Sequence, residues 1–122
     1  MSANKQRGTR WESAVVTFLR ERGFRYAERR ALAGARDLGD ITGLPGVVIE
    51  CKSQNRQSLA EWLDEAEQEK ANAGADHAVV WFKRRGHTSA GKGYVLMSGD
   101  DYVWLLRSAG YGDAPRDLEQ TP

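Results

Sequence analysis

The stretch GDITGLPGVVIECKS, residues 39–53, decides the fold because it places two β-prone runs on either side of a Pro-Gly turn. We expect these runs to pair as a hairpin. The second run, VVIECK at residues 47–52, carries Glu50 and Lys52 although charge is costly to bury in a strand. Side chains alternate along a strand, so this run has two faces. One face is predicted to carry Val48, Glu50 and Lys52, and the other Val47, Ile49 and Cys51.

Asp40 begins the first run, and its position relative to Glu50 depends on the hairpin register. A connection made of residues 44–46 places Asp40 directly opposite Glu50, whereas a two-residue turn places it opposite Cys51. Proline before glycine suits a type II turn, which splays a two-residue hairpin, so we expect a longer or bulged connection. The sequence by itself leaves both registers open.

Helix signals flank the hairpin on both sides. Upstream, apolar residues at helical spacing predict a helix over residues 8–22, ended by Gly23. Downstream, Ser58 and Glu61 have the spacing of a capping box and begin a second helix, which ends at Gly74. The remaining predicted elements are strands at residues 24–30, 77–85 and 94–98 and a short helix at residues 100–110.

The resulting order, α-β-β-β-α-β-β-α, predicts an α/β fold with a mixed β-sheet flanked by helices. A chain of 122 residues with 40% hydrophobic content is expected to form one domain, which we assign to residues 1–110. Residues 111–122 contain two of the three prolines, and we expect them to be a frayed tail.

Composition excludes several classes of protein. No apolar run approaches the roughly 20 residues that cross a bilayer, and the first residues lack the apolar centre of a signal peptide, so no membrane partner is expected. The lone cysteine, Cys51, forms no internal disulfide and fits a reducing compartment, so we expect a cytoplasmic protein. One cysteine and two histidines also argue against a structural zinc site.

Charge is distributed unevenly along the chain although the net charge is only +1. Residues 1–36 carry nine Lys and Arg against three Glu, whereas residues 37–82 carry three Lys and Arg against nine Asp and Glu. A solvated surface accounts for such counts, and so does a basic rim for phosphates beside an acidic pocket for cations. The second interpretation makes Arg7, Arg10, Arg29 and Arg30 candidate phosphate contacts.

Three carboxylates are expected to converge at the hairpin. Glu12 lies at the edge of the apolar face of the first helix and can reach the sheet, where it would join Asp40 and Glu50. Uncompensated carboxylates repel, but Mg²⁺ prefers oxygen ligands of this kind. We expect Asp40, Glu50 and the main-chain carbonyl of Cys51 to bind the cation, with Glu12 as a further candidate. Lys52, on the face of Glu50, could act on a water or stabilise a phosphate.

These residues resemble the PD-(D/E)xK nuclease signature, with Gly39-Asp40 in place of Pro-Asp and Glu50-Cys51-Lys52 at the end of the hairpin. More narrowly, RGTRWE at residues 7–12 followed by RGFRYAERR and GDITGLPGVVIECKS is similar to the archaeal and phage Holliday junction resolvases. The resemblance covers roughly residues 7–85. It implies a restriction-endonuclease-like fold, dependence on Mg²⁺ or Mn²⁺, a homodimer, and paired cuts in four-way DNA. By position, it assigns Glu12, Asp40, Glu50 and Lys52 to the catalytic site.

Two classes of function remain open. One is a metal-dependent endonuclease on branched DNA, with other structured DNA or RNA as the alternative substrate; for a phage-encoded chain it would act in the host cytoplasm. The other is a catalytically idle nucleic-acid-binding module of the same fold, which the low net charge weakly favours. For a dimer interface, the sequence offers Trp62, Trp81 and Phe82, although Trp62 is better explained as a core residue.

Overall fold

The structure is a computed structural model that describes residues 3–31 and 37–113. The order of helices and strands is the predicted one, with an additional 3-10 turn at Ala90–Lys92. The helices are α1 (Ala3–Glu21), α2 (Leu59–Ala73) and α3 (Gly99–Ser108), and the strands are β1 (Glu28–Arg29), β2 (Ile41–Thr42), β3 (Val47–Lys52), β4 (His77–Phe82) and β5 (Tyr94–Leu96).

The five strands form one mixed sheet whose spatial order, β1-β2-β3-β4-β5, is also their order along the chain. Strands β3 and β4 are parallel, and the other neighbouring pairs are antiparallel. A parallel pair needs a crossover connection, which α2 supplies. The described residues therefore have a mixed α/β fold, as the sequence predicts.

The hairpin between β2 and β3 has the longer of the two connections considered. Ile41 lies opposite Ile49, and the same register continued by one residue brings Asp40 level with Glu50. Gly43 fixes this part of the chain: its φ is +95°, and a Cβ there would lie 1.9 Å from the carbonyl oxygen of Tyr26. Any other residue would clash with the backbone, so only glycine allows this approach.

The sheet separates two hydrophobic cores, and the strand alternation is as predicted. Val47, Ile49 and Cys51 pack against the core on the α1 side, whereas Val48 belongs to the core on the α2 side. Glu50 and Lys52 therefore lie on the face covered by α2. The α1 core is built on Trp11, Val15, Val16, Leu19, Ala27, Ile41, Ile49 and Ala90, and the α2 core on Val48, Trp62, Ala66, Ala78, Val80 and Phe82.

Helix α2 begins and ends where the sequence predicts, but its first turn is not a capping box. Ser58 is the N-cap residue, yet its side chain makes no capping hydrogen bond. Its φ of −124° and ψ of 67° lie outside the extended region typical of a side-chain cap. At the other end, Gly74 has a left-handed conformation; its N–H donates to the carbonyl of Ala71 and the N–H of Ala75 donates to that of Lys70, as expected of a helix-ending glycine.

The aromatic residues suggested for a dimer interface are part of the cores, so that suggestion is wrong. Trp62 is 4% exposed and Phe82 is 8% exposed, and their rings meet edge to face. Trp81 packs on the α1 core and its Nε1–H donates to the carbonyl of Ala90. Six large apolar side chains on β5 and α3 are exposed: Tyr94, Val95, Tyr102, Val103, Trp104 and Leu105.

Of the predicted tail at residues 111–122, only residues 111–113 belong to the described part of the chain. They follow α3 closely, because the N–H of Tyr111 donates to the carbonyl of Leu106 and the Arg107 side chain donates to the carbonyl of Asp113. Among residues 3–31 and 37–113, no helix is both long enough and apolar enough to cross a bilayer.

Candidate functional site

One cavity of about 520 Å³ brings together the residues that the sequence singles out. Glu12 enters it from α1, Asp40 from the approach to β2, and Glu50 and Lys52 from the end of β3. The remaining lining comes from Arg7, Gly8 and Cys51 and from the loop after β3, Ser53, Gln54 and Asn55. All four predicted catalytic residues therefore share one site.

Asp40 is held rigidly at the edge of the sheet. Its Oδ2 accepts a hydrogen bond of 2.7 Å from the N–H of Cys51. Its main chain donates to the carbonyl of Ile49 and accepts from the N–H of Arg30. One carboxylate oxygen is thus engaged in holding the hairpin, and the carboxylate also lies within hydrogen-bonding reach of Glu50.

Glu50 is a buried acid surrounded by other acids. It is 5% exposed. Burial, followed by the neighbouring carboxyl groups of Asp40 and Glu69, raises the pKa of Glu50 far above its ordinary value. Without a cation, Glu50 therefore holds a proton at neutral pH and shares hydrogen bonds with its neighbours. A bound cation would replace that proton, since a metal ligand must be ionised.

Glu69, on α2, completes this group although the sequence analysis did not single it out. It is 1% exposed, and the carboxyl group of Glu50 lies within hydrogen-bonding reach of its carboxylate, whereas no basic side chain binds it among the described residues. Burial also raises the pKa of Glu69. Gly39 lets the chain pass close to it: a Cβ at this position would lie 3.5 Å from Oε2 of Glu69 and 3.0 Å from Val48.

Four carboxylates from three parts of the chain converge on the α2 side of Glu50. An oxygen from each lies within 4.8 Å of an oxygen from every other, a spacing that could hold a metal ion. The donors are all hard oxygens, which fits Mg²⁺, Mn²⁺ or Ca²⁺ and not a soft metal. The fully buried Glu69 supports this fit, because no basic side chain among the described residues binds its carboxylate. The group consists of Asp37, Glu50, Glu65 and Glu69.

The sequence of α2 contains one indication of this group, an acidic residue at a position where helical spacing predicts a core residue. Trp62 and Ala66 are buried on the apolar face of the helix, and Glu69 follows them at helical spacing. An acid at a core position requires a partner or a ligand. Glu65, four residues earlier, lies on the same side of the helix.

Lys52 is an ammonium group held among carboxylates. Its Nζ lies 3.1 Å from Oε2 of Glu65. Burial alone would lower the pKa of Lys52, but the hydrogen bond that its ammonium donates to Glu65 and the charge of Glu50 outweigh burial and raise it. In this arrangement Lys52 donates hydrogen bonds and positive charge, and it is not set up to accept a proton.

Glu12 and Cys51 line the cavity, but their side chains are not part of the carboxylate group on the α2 side. Glu12 binds the Arg29 side chain at 3.0 Å, and burial with the nearby charge of Asp40 still leaves its pKa raised. It does not belong to the carboxylate group on the α2 side. Burial raises the pKa of the Cys51 thiol, so the thiol stays protonated and acts as a small core group.

The four arginines predicted to contact phosphates lie in three different settings. Arg7 lines the main cavity, and together with Arg10 and Lys83 it also lines a neighbouring cavity of about 300 Å³. Arg29 is bound to Glu12. Arg30 lines a separate cavity near the hairpin turn and the end of α2. A continuous basic edge beside the acidic site is therefore formed by Arg7, Arg10 and Lys83.

Comparisons of the chain with protein-family models, with curated proteins and with solved structures gave no match. The chain's function is therefore inferred from its own residues and their contacts.

Proposed function

We propose that this chain is a metal-dependent, structure-selective endonuclease that hydrolyses phosphodiester bonds in branched DNA, similar to Holliday junction resolvases. The observation that carries the proposal is the common cavity of Asp40, Glu50 and Lys52, bordered by Arg7. The mixed sheet with the catalytic hairpin at its centre also supports a restriction-endonuclease-like fold for the chain. We place the protein in the cytoplasm, where its DNA substrate would be.

The catalytic roles follow from the contacts of each residue. Asp40 and Glu50, with the main-chain carbonyl of Cys51, would hold Mg²⁺ or Mn²⁺, and Glu12 borders the same cavity. When bound, the cation would supply positive charge for the phosphate and would make water a stronger nucleophile. Lys52 carries a positive charge and faces the same cavity, so it stabilises negative charge that develops on the phosphate.

The basic edge supplies the contacts that position the DNA. Arg7 and Arg10 are exposed, and Lys83 borders the same cavity. Side chains of this kind bind backbone phosphates without selecting a base sequence. Arg29 orients Glu12 through its ion pair, and Arg30 lines the cavity near the hairpin turn instead of the acidic cavity.

The proposal includes a homodimer, because a four-way junction presents two equivalent strands and each chain has one such cavity. The surface best suited to a second copy is formed by β5 and α3. Six large apolar side chains on these two elements are each 43–57% exposed. A second copy that covers those on one side would remove apolar surface from water.

A cleavage assay tests the proposal. We expect the protein to cut a labelled four-way junction in Mg²⁺ or Mn²⁺ but not in EDTA, and we expect Asp40→Asn to abolish cutting while DNA binding persists. Asp64→Asn, an exposed acid on α2, is the matched control and should cut normally. Equal cutting in EDTA would contradict the proposal.

The same assay separates the alternatives. Linear duplex, flap and RNA substrates, measured beside the junction, identify a nuclease with a different preference. Binding of the junction without any cutting, in either metal, would instead indicate the idle module that the net charge of +1 weakly favours.

A further inference from the structure

The part of the chain that contains β4 and β5 carries positive charges with no acidic residue among them. Residues 77–99 contain four Lys and Arg and no Asp or Glu, although the whole chain has 18 Lys and Arg and 17 Asp and Glu. All four lie in the connection between the two strands, which we call the β4–β5 loop (residues 83–93): Lys83, Arg84, Arg85 and Lys92. None of them forms an ion pair with a carboxylate of residues 3–31 and 37–113. Their charges are therefore available to an anion from outside the chain.

The β4–β5 loop begins beside the acidic cavity. Strands β3 and β4 are parallel and pair Lys52 with Phe82, so both strands end at the same edge of the sheet. The N–H of Lys83 donates to the main-chain carbonyl of Lys52 at 3.0 Å. The loop thus leaves the sheet at the edge where Glu50 and Lys52 line the cavity.

The second half of the loop is fixed to the protein, while its arginines are exposed. Ala90 is 4% exposed in the α1 core, and its carbonyl accepts a hydrogen bond from the Nε1–H of Trp81. Gly93 passes so close to β4 that a Cβ there would lie 2.9 Å from a main-chain carbonyl oxygen of that strand. Arg84 and Arg85, in contrast, are exposed. A loop that is already fixed loses little conformational freedom when it binds a partner.

We propose that the β4–β5 loop binds backbone phosphates of the DNA substrate through Arg84 and Arg85, and so extends the basic edge of Arg7, Arg10 and Lys83 toward β5. This inference rests on the proposed function, which identifies the anion as DNA. Neighbouring strands are about 4.8 Å apart, so a loop that joins β4 to β5 lies about 5 to 10 Å from the end of β3. At about 3.4 Å per base pair, the contacted phosphates are about two or three nucleotides from the one that is cut.

The salt dependence of binding tests this contact. Junction affinity is measured in Mg²⁺ at several salt concentrations for Asp40→Asn, which we expect to bind without cutting, and for the same protein with Arg84→Ala and Arg85→Ala added. Each phosphate contact contributes about 0.9 to the slope of log affinity against log salt concentration. We therefore expect the slope to become shallower by about 2 when both arginines are replaced. Because both side chains are exposed, the melting temperature should stay the same.

The control removes the same charge at the other end of β3. Arg22 and Arg25 are exposed and lie in the connection between α1 and β1. The carbonyl of Tyr26, next in the chain, lies against Gly43 in the connection that leads into β3. Arg22→Ala together with Arg25→Ala, added to Asp40→Asn, should leave the salt slope unchanged.

A second measurement locates the contacted phosphates. Single phosphates of the junction are replaced one at a time by neutral methylphosphonates. We expect substitution two or three nucleotides from the cut to weaken binding by Asp40→Asn. The same substitution should have no further effect once Arg84→Ala and Arg85→Ala are present, because the two changes remove one interaction.

The outcomes separate this inference from the proposed nuclease. An unchanged salt slope after loss of Arg84 and Arg85, an equal change in the control, or equal sensitivity to every methylphosphonate overturns the loop contact and leaves the cleavage assay to judge the nuclease. No junction binding by any of these proteins overturns both. A shallower slope in the loop variant alone supports the inference whether or not the wild type cuts DNA.

Discussion

The ammonium group of Lys52 is bound by Glu65 and also borders the cavity that contains Glu50. Glu65 binds its ammonium at 3.1 Å, and the cavity that holds Glu50 lies on its other side. The raised pKa keeps the charge on Lys52 at neutral pH, which favours stabilisation of a phosphate over removal of a proton. The charge of Lys52 can therefore be tested separately from the volume of its side chain.

Replacing Lys52 with Met keeps most of the side-chain volume and removes the charge. We expect cleavage of the junction to slow by roughly 100-fold or more, since a positioned donor of charge is worth about that much, while junction affinity changes little. Single-turnover cleavage and a binding titration measure the two effects. Lys92→Met, an exposed lysine near β5, should leave both unchanged. Wild-type cleavage by Lys52→Met would remove this lysine from the mechanism.

The buried acids predict an unusual dependence of stability on pH. Burial, reinforced by the charges of Asp37 and Glu65, raises the pKa of Glu69 from 4.5 to about 7. The folded state therefore keeps a proton that the unfolded state loses, so this contribution to stability is present below about pH 4.5 and is lost as the pH rises toward 7. In EDTA, we expect the melting temperature to fall from pH 5 to pH 7 by more in the wild type than in Glu69→Gln, as measured by circular dichroism. An equal fall in melting temperature in both proteins would contradict the raised pKa of Glu69.

Part of the site could be predicted from residue spacing alone. The alternation of β3 placed Glu50 and Lys52 on one face, because side chains in a strand have a fixed period of two. The position of Asp40 could not be decided, since it depends on the contact of Gly43 with the main chain of Tyr26, which lies outside the hairpin. Glu69 was missed because its proximity to Glu50 depends on how α2 is rotated about its axis relative to β3. Helical spacing by itself does not give that rotation.

Helix α3 is joined to the sheet by a buried acid rather than by its apolar face. Asp101 accepts from the N–H of Ala78 at 3.0 Å and from Lys70 at 3.1 Å, while Ser98 accepts from the N–H of Asp101 to cap the helix. The helix was correctly predicted from its short amphipathic pattern. The pattern could not show which side of α3 faces the rest of the protein. The four consecutive apolar residues 102–105 are exposed, although an apolar pattern predicts burial.

Replacing Asp101 with Ala should therefore destabilise the fold more than any other change on α3. The N–H of Ala78 would lose its acceptor inside the protein, and Lys70 would keep only Glu67. We expect the free energy of unfolding to fall by about 3 kcal/mol, measured by urea denaturation. Asp100→Ala, the exposed neighbour in the same helical turn, should cost less than about 1 kcal/mol. Similar losses in both variants would mean that Asp101 does not fasten α3.

For the molecule as a whole, the acidic cavity and the exposed apolar surface of β5 and α3 are distinct features. The cavity is bordered by α1, the hairpin and the end of β3, whereas the apolar surface is at the opposite edge strand and the C-terminal helix. Two copies joined through the apolar surface would leave both cavities open to DNA. Large apolar side chains exposed on two consecutive elements are a common feature of protein–protein interaction sites.

Light scattering after size exclusion tests this assembly. We expect the wild type to have twice the chain mass of 13.6 kDa and Val103→Asp to have the single-chain mass, because a charge at the centre of an apolar interface is not compensated. Tyr26→Asp is the control, since Tyr26 is 67% exposed but lies far along the chain from α3. A wild-type monomer would contradict the dimer, and a dimeric Val103→Asp would contradict this surface.

The strand order of the sheet also bears on how the chain folds. Because β1 to β5 are neighbours in the order in which they are synthesised, each strand pairs with one that already exists, and no strand has to insert between two others. Contacts of low sequence separation of this kind favour rapid folding. The clustered carboxylates all come from residues 37–69, so they can meet before β5 and α3 have left the ribosome. In each nascent chain, the carboxylate group would thus form first, and the exposed apolar residues of α3 would emerge last. This order limits association between chains during translation.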